Sequence, residues 1–434
     1  MPSQPHAKEA RAHIARGDPA QAETAIARLI EEVSGRFVAR VRINQDHYSL
    51  NSVSGLAAFA SGEALFFKFH QEDGEERSGR EYYNVTLLKE AGYPIDEPLH
   101  VSREPGRQML LYQRRDDPRF ADVCLAIETG EDRSESARVV AAQRALDRAV
   151  GQRLLASLHR PDPDDVRAEP IHQLFHDRLV DPDAPGIVGG RVTAFYLGKD
   201  FAFPGATVPW DRLARLRWRI NGVPYRQTLG ELFEAARVVL APEALAHHGA
   251  VLAHGDAHNA NIWYERPADG EGDAPRLVFF DPAFAGRHVP ALLAEVKPTF
   301  HNIFAHPLWL YAPDRAAERF GARVTVAGET IEVVHDCALS PLRLAFLRSK
   351  VEALWGPLVQ ALAHHGWLPP NWRRIVRLAL FCCPTLVMDL RAGGRGGHNP
   401  TSSAIGLAAA VAAGGEPDDG AGDVLSRALD EIAP

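Results

Sequence analysis

The sequence predicts an α+β protein in two lobes, a small mainly antiparallel β lobe followed by a large, mostly helical one. Three observations lead there. Five short apolar runs bounded by polar or turn-forming residues crowd into residues 36–113, the signature of short strands. Beyond them the longer periodic stretches read as helices. Between those helices, two brief apolar runs, Ala250-Val251-Leu252-Ala253 and Leu277-Val278-Phe279-Phe280, bracket a loop rich in His, Asp and Asn. The expected division is a helical extension over 1–35, a small lobe over 36–113 and a large lobe over 114–434, with an insertion at about 160–230.

Residues 8–34 read as one or two helices, because Ile26, Leu29, Ile30 and Val33 share one face. Phe37-Val38-Ala39-Arg40-Val41 is the first strand, 56–60 the second and Ala64-Leu65-Phe66-Phe67-Lys68-Phe69 the third. A helix over about 79–91 stops at Gly92 and Pro94, since glycine and proline end helices. Two more strands follow, 98–102 and 108–112. Arg114-Arg115-Asp116-Asp117-Pro118 is a polar, turn-prone step, and a long helix covers about 134–159. Residues 160–230 are rich in Pro, Asp, Gly and Trp and are expected to be partly helical. A helix over about 229–240 precedes the His/Asp/Asn loop, and the chain from Pro290 onward is expected to be mostly helical, ending in a Gly- and Asp-rich tail after Gly414.

Bulk properties narrow the function classes. At about 100–200 residues per domain, 434 residues make two or three units or one large two-lobed enzyme. The net charge of −8, from 48 basic against 56 acidic residues, lacks the basic footprint of a nucleic-acid binder. An acidic cleft for a cationic substrate is compatible with it, and so is an excess spread for solubility. Cys124, Cys337, Cys382 and Cys383 have no metal-type spacing and read as buried thiols in a reducing compartment. The first residues lack the apolar core of a signal peptide, and no run reaches the ~20 apolar residues of a membrane span. A cytoplasmic protein with no membrane partner is expected.

The most informative stretch is His254-Gly255-Asp256-Ala257-His258-Asn259-Ala260-Asn261. Two strands joined through it would bring Asp256, Asn261 and Asp281 to the mouth of one cleft. That trio suits phosphoryl transfer: one carboxylate takes the proton from the attacking hydroxyl, while a carboxamide and a second carboxylate hold magnesium on the triphosphate. No Walker A loop occurs, since Gly198-Lys199 is followed by Asp200 and lacks the upstream glycine.

His254-Gly255-Asp256-x-His258-x-x-Asn261 with Asp281 downstream resembles the catalytic loop and metal aspartate of the aminoglycoside phosphotransferase and choline kinase family, a branch of the protein-kinase-like fold. The spacing from Asp256 to Asn261 also matches the protein-kinase loop. The resemblance spans roughly residues 36–390, and it implies an enzyme that transfers the γ-phosphate of ATP (or GTP) to a hydroxyl of a small molecule. It implies Asp256 as base and His258 in the place of a γ-phosphate-contacting lysine. It implies Asn261 and Asp281 as Mg2+ ligands, and Lys68 on the third strand as the lysine on the α- and β-phosphates. Glu81 is its expected helix partner, with Glu75 and Glu76 as competitors. The nucleotide loop would be Ser49-Leu50-Asn51-Ser52-Val53-Ser54-Gly55, with Ser52 and Ser54 offering donors to phosphate. Adenine would lie on the backbone after 108–113. The chain departs from the family after Asp281, where Pro282-Ala283-Phe284-Ala285-Gly286 lacks the usual second acid. Two rivals use the same residues: a protein-modifying kinase-like enzyme and a non-catalytic nucleotide-binding module. Lys297-Pro298-Thr299-Phe300-His301-Asn302, running on to His306, and Gly397-His398-Asn399-Pro400-Thr401 either line an acceptor pocket or cap helices and turns.

Overall fold

The computed structural model describes residues 6–44, 52–70, 85–102, 107, 109–267, 274–418 and 422–434. The architecture is α+β: an antiparallel sheet near the N-terminus followed by a largely helical body. The sheet contains β1 (Val38–Ile43), β2 (Ser52–Phe59), β3 (Ala64–His70), β4 (His100–Ser102) and β5 (Met109–Gln113). Its order is β1-β2-β3-β5-β4, with every neighbouring pair antiparallel.

Alternation along these strands assigns the two faces of the sheet. Leu65, Phe67 and Phe69 of β3 pack with Val41, Val53, Ala57, Met109 and Leu111 against the helices α1 (His6–Ala15) and α2 (Pro19–Ser34). Helix α2 starts where Asp18 accepts a hydrogen bond from Gln21 N and Pro19 takes the first turn, a position where proline's missing N–H costs nothing. Its Ala22, Ala25, Ile26, Leu29 and Ile30 are buried. The two helices over residues 6–34 therefore roof the sheet. Phe66, Leu110 and Tyr112 point the other way, into the core of the helical body.

Tyr93 and the chain after it tie the sheet to that body. The Tyr93 hydroxyl donates to Leu252 O at 2.8 Å. Phe279 N donates to Pro94 O and Asp96 N to Phe279 O, both at 2.7 Å. At the exit from β5, Arg115 pairs with Glu265 at 2.8 Å and Asp96 at 3.5 Å, so the polar step read from the sequence is an ion-paired hinge.

Several elements depart from expectation. A helix at Phe120–Thr129 follows directly on the polar step. Its Phe120, Ala121, Val123, Cys124 and Ile127 form a buried face whose helical spacing is too short to stand out locally. The long helix runs Ser136–Ser157. Residues 160–230 hold more strand than expected: a hairpin of Asp200–Phe203 with Ala206–Pro209, and the strands Arg217–Ile220 and Val223–Pro224. Asn221 and Gly222 between the last two adopt positive φ, 48° and 86°, which is the Asn-Gly hairpin turn. Beyond Pro290 a second hairpin, Ala322–Ala327 with Thr330–His335, joins these strands in a four-stranded sheet. In that hairpin Val324, Ile331 and Val333 are buried while Arg323, Thr325 and Val334 face solvent, a period-2 pattern hidden inside a helix-rich stretch. The Gly- and Asp-rich end is not a loose tail: Val424–Glu431 is a helix with Leu425, Ala428 and Leu429 buried, anchored by Arg377 on Asp423 at 3.3 Å. Among the described residues no helix is long and apolar enough to cross a membrane.

Candidate active site

Strand Ala250–Ala253 delivers the chain into the loop, and Asn259–Asn261 is a single tight helical turn leading to strand Ile262–Glu265. That strand pairs with Arg276–Phe279, Ile262 opposite Phe279, and Phe280 N donates to Asn261 O at 3.0 Å. Asn261 and Asp281 therefore leave the hairpin at the same end, as two flanking strands should place them.

Gly255 makes the loop possible. Its φ is +79°, and a Cβ there would lie 2.4 Å from Phe284 O. Gly255→Ala adds backbone strain of about 1–3 kcal/mol to a clash with a main-chain oxygen that cannot move aside alone. The expected outcome is a lower thermal midpoint in calorimetry; an unchanged midpoint would mean the loop is not built this way. His254 is 2% exposed and supports the loop from within, its Nε2 against Phe280 O at 3.1 Å and its Nδ1 accepting from Asp256 N at 3.3 Å.

Asp281 also has positive φ, 57°, a conformation Asp tolerates better than bulkier residues. Its N–H donates to the Tyr112 hydroxyl at 3.3 Å. Its carboxylate Oδ2 accepts a hydrogen bond from Lys68 Nζ, and the two side chains are 10% and 7% exposed. Lys68 thus meets Asp281 across the cleft; its expected partner Glu81 lies outside the described residues. Ser54 stands directly opposite Lys68 in the β2–β3 register, so both side chains share the cleft face. The expected loop over 49–55 is corrected here: Ser52 to Gly55 belong to β2, because Val53 and Ala57 alternate into the face roofed by α1 and α2. Ser54 is 2% exposed, and among the described residues its Oγ has no hydrogen-bond partner, so it offers a donor to the cleft from a strand rather than a loop.

Around Asp256 the polar groups are dense. Asn261 Nδ2 donates to Asp256 O at 3.0 Å. His258 Nδ1 accepts from Ala260 N at 3.3 Å, which leaves Nε2 to carry the ring proton, 3.7 Å from Asp256 Oδ1. Burial pushes His258 down to about 4 against the pull of Asp256, with Lys297 and Lys68 adding to the push. Asp281 is also close enough to act on that ring, so the two aspartates and two lysines converge on His258. Its ring stacks on His301, centroids 4.8 Å apart.

Lys297 and His301 are the residues that sequence reasoning does not place. They sit on Val296–Thr299 and the widened turn Phe300–Phe304 that continues it. Asn302 on the same turn accepts from Asn259 N at 2.9 Å, locking it to the loop. Arg343 holds the turn from behind: its Nη1 donates to Ile303 O at 3.2 Å and to Ala305 O, and it pairs with Glu128 at 2.8 Å. The cluster His398–Thr401 is engaged in a helix cap. His398 lies against Ser402 at 3.1 Å, and Asn399 caps helix Pro400–Gly414.

No protein-family model matches the chain, and no curated protein matches it. Solved structures do. The chain is similar to a macrolide 2'-phosphotransferase type I, at 10% identity over 84% of this chain and 90% of that chain, with a TM-score of 0.34. It is similar to an amicoumacin kinase in complex with AMP-PNP, Ca2+ and Ami, at 11% identity over 80% and 79%, with a TM-score of 0.37. It is also similar to a spectinomycin phosphotransferase in complex with ADP and spectinomycin, at 11% identity over 89% and 98%, with a TM-score of 0.32.

Proposed function

We propose that this chain is a phosphotransferase that moves the γ-phosphoryl group of ATP or GTP to a hydroxyl of a small molecule. The observation that carries the proposal is the convergence of Lys68, Asp256, Asn261 and Asp281 on one cleft, with Lys68 and Asp281 ion-paired across 213 residues of chain. Structural ion pairs rarely come with a carboxylate beside them whose buried oxygen lacks any hydrogen bond, as Asp256 Oδ1 does among the described residues. A carboxylate left short of donors is suited to accept a proton. In this reading residues 36–113 hold the nucleotide and residues 114–434 hold the acceptor and the base.

Asp256 orients the acceptor hydroxyl and takes its proton. The acceptor oxygen then forms its bond to Pγ as the bond from Pγ to the β–γ bridging oxygen breaks, releasing the nucleoside diphosphate. Lys68, reached from β3, meets the α- and β-phosphates, and Ser54 Oγ lies beside it as a second donor. Glu81 is the proposed acid that holds Lys68 once nucleotide arrives. Ser52 stands two residues before Ser54 at the start of β2, where its backbone can reach phosphate. His258, kept neutral, supports the loop and offers Nε2–H beside Asp256.

The donor set fits a hard divalent cation. One amide hydrogen of Asn261 goes to Asp256 O, its carbonyl oxygen is left for a ligand, and Asp281 supplies a carboxylate. One or two such oxygens together with substrate phosphates are what Mg2+ accepts. Among the described residues there is no cluster of three or more His, Cys, Asp and Glu that could hold a metal alone. When bound, the ion neutralises charge that builds on the phosphates.

The test is turnover of ATP and GTP with Mg2+ across a panel of small hydroxyl compounds. Stimulation by at least one compound, abolished by a chelator and restored by added Mg2+, is the expected result. Nucleotide binding without turnover, or turnover indifferent to chelation, overturns the proposal.

A further inference from the structure

We propose that Lys297 is the residue that contacts the γ-phosphoryl group, the contact that the family resemblance assigns to His258. The inference rests on the phosphotransferase reading and adds a residue from outside the loop. Lys297 is 4% exposed, and a buried ammonium is costly unless a charge answers it. The answering charge is Asp256: Lys297 Nζ lies 3.4 Å from Asp256 Oδ1. The contact is electrostatic only, since among the described residues that oxygen has no hydrogen-bond partner. The ammonium and the base therefore face one another with bonding capacity still unspent.

The rest of the lysine's surroundings hold it in place. Nζ donates to His301 Nε2 at 3.1 Å, which makes that nitrogen the acceptor and His301 Nδ1 the donor to the Tyr311 hydroxyl at 2.7 Å. Burial, with Lys297 and His258 beside it, keeps the His301 ring well below its ordinary range and so neutral. One of three ammonium hydrogens is thereby used. An acceptor hydroxyl held by Asp256 would sit at hydrogen-bond distance from it, with the transferring phosphorus about 3–3.5 Å further on. A lysine 3.4 Å from the same oxygen stands within a few ångströms of where that phosphoryl group would lie.

A fixed, water-excluded cation that stabilises a developing charge contributes strongly to catalysis. It also discriminates nucleotides, because ADP has no γ-phosphate for Lys297 to meet. Affinities for Mg2+·AMP-PNP and Mg2+·ADP are measured by calorimetry on the full chain. The wild type is expected to favour the triphosphate analogue. Lys297→Met is expected to lower that preference by about 10- to 100-fold, the value of one charged hydrogen bond, with ADP affinity unchanged. Lys297→Arg is expected to keep most of the preference. Because Lys297→Met strips Asp256 of its cation, the pair Asp256→Asn and Asp256→Asn/Lys297→Met gives the same comparison without a lone buried charge. An unchanged preference in both lysine-less variants, or a wild type that binds the two nucleotides equally, overturns the role of Lys297 while the phosphotransferase reading stands. A wild type that binds neither nucleotide overturns that reading and this one with it.

Discussion

Lys68→Met is expected to destabilise the protein by about 3–5 kcal/mol and to abolish nucleotide binding, because it takes the cation from a buried ion pair. Lys68 and Asp281 are 10% and 7% exposed, so solvent offers the Asp281 carboxylate little relief. The pair also bolts the sheet to the helical body: Lys68 belongs to β3, whereas Asp281 follows the strand Arg276–Phe279. Its loss should appear in chemical denaturation as a lower midpoint with an unchanged slope. The double variant Lys68→Met/Asp281→Asn removes both charges and is expected to recover most of the stability, because neutral groups of similar shape carry no ionic desolvation penalty. It is not expected to recover nucleotide affinity, since the ammonium proposed to bind phosphate and the carboxylate proposed to bind metal are both gone. A single variant as stable as wild type would show that the two side chains do not meet as an ion pair in solution.

Asp256→Asn is expected to lower turnover by about 10²–10⁴-fold while leaving nucleotide affinity intact, the usual worth of a general base. Asparagine keeps the shape of the side chain but cannot accept the proton. The cost in stability should be smaller than for Lys68→Met. The Lys297 contact lies at 3.4 Å without a hydrogen bond, and Lys297 retains His301 as its acceptor. Single-turnover kinetics with the best acceptor found in the panel measure the effect directly. A variant with wild-type turnover would remove Asp256 from the chemistry and leave the charge cluster as scaffolding.

Legibility in the sequence follows the range of the interactions involved. The five strands near the N-terminus are readable because each is a short apolar run bounded by polar or turn-forming residues, and their bounds agree to within a few residues. The helix at Phe120–Thr129 and the hairpin Ala322–His335 escape a reading by periodicity. The first is brief, and the second carries its period-2 pattern between helix-like neighbours. Its turn at Gly328, with φ +57°, and the Asn221-Gly222 turn are the signals that could find the extra sheet. Ser54 reads as a loop residue because serines and asparagines cluster before it, yet β2 begins at Ser52.

By itself the sequence determined the residues of the candidate site and their local setting. A Gly between His and Asp, an Asn five residues after that Asp, and a lysine in an apolar strand each follow from backbone geometry or residue type over a few positions. What only the tertiary structure decided is which charges share a low-dielectric pocket. Lys68 meets Asp281, Lys297 meets Asp256, and the first two helices roof the sheet across contacts that link distant parts of the chain. The physical reason is that a buried charge is stabilised by whatever the fold brings within a few ångströms. That proximity is produced by packing of whole elements, which leaves no periodic mark on the residues it unites.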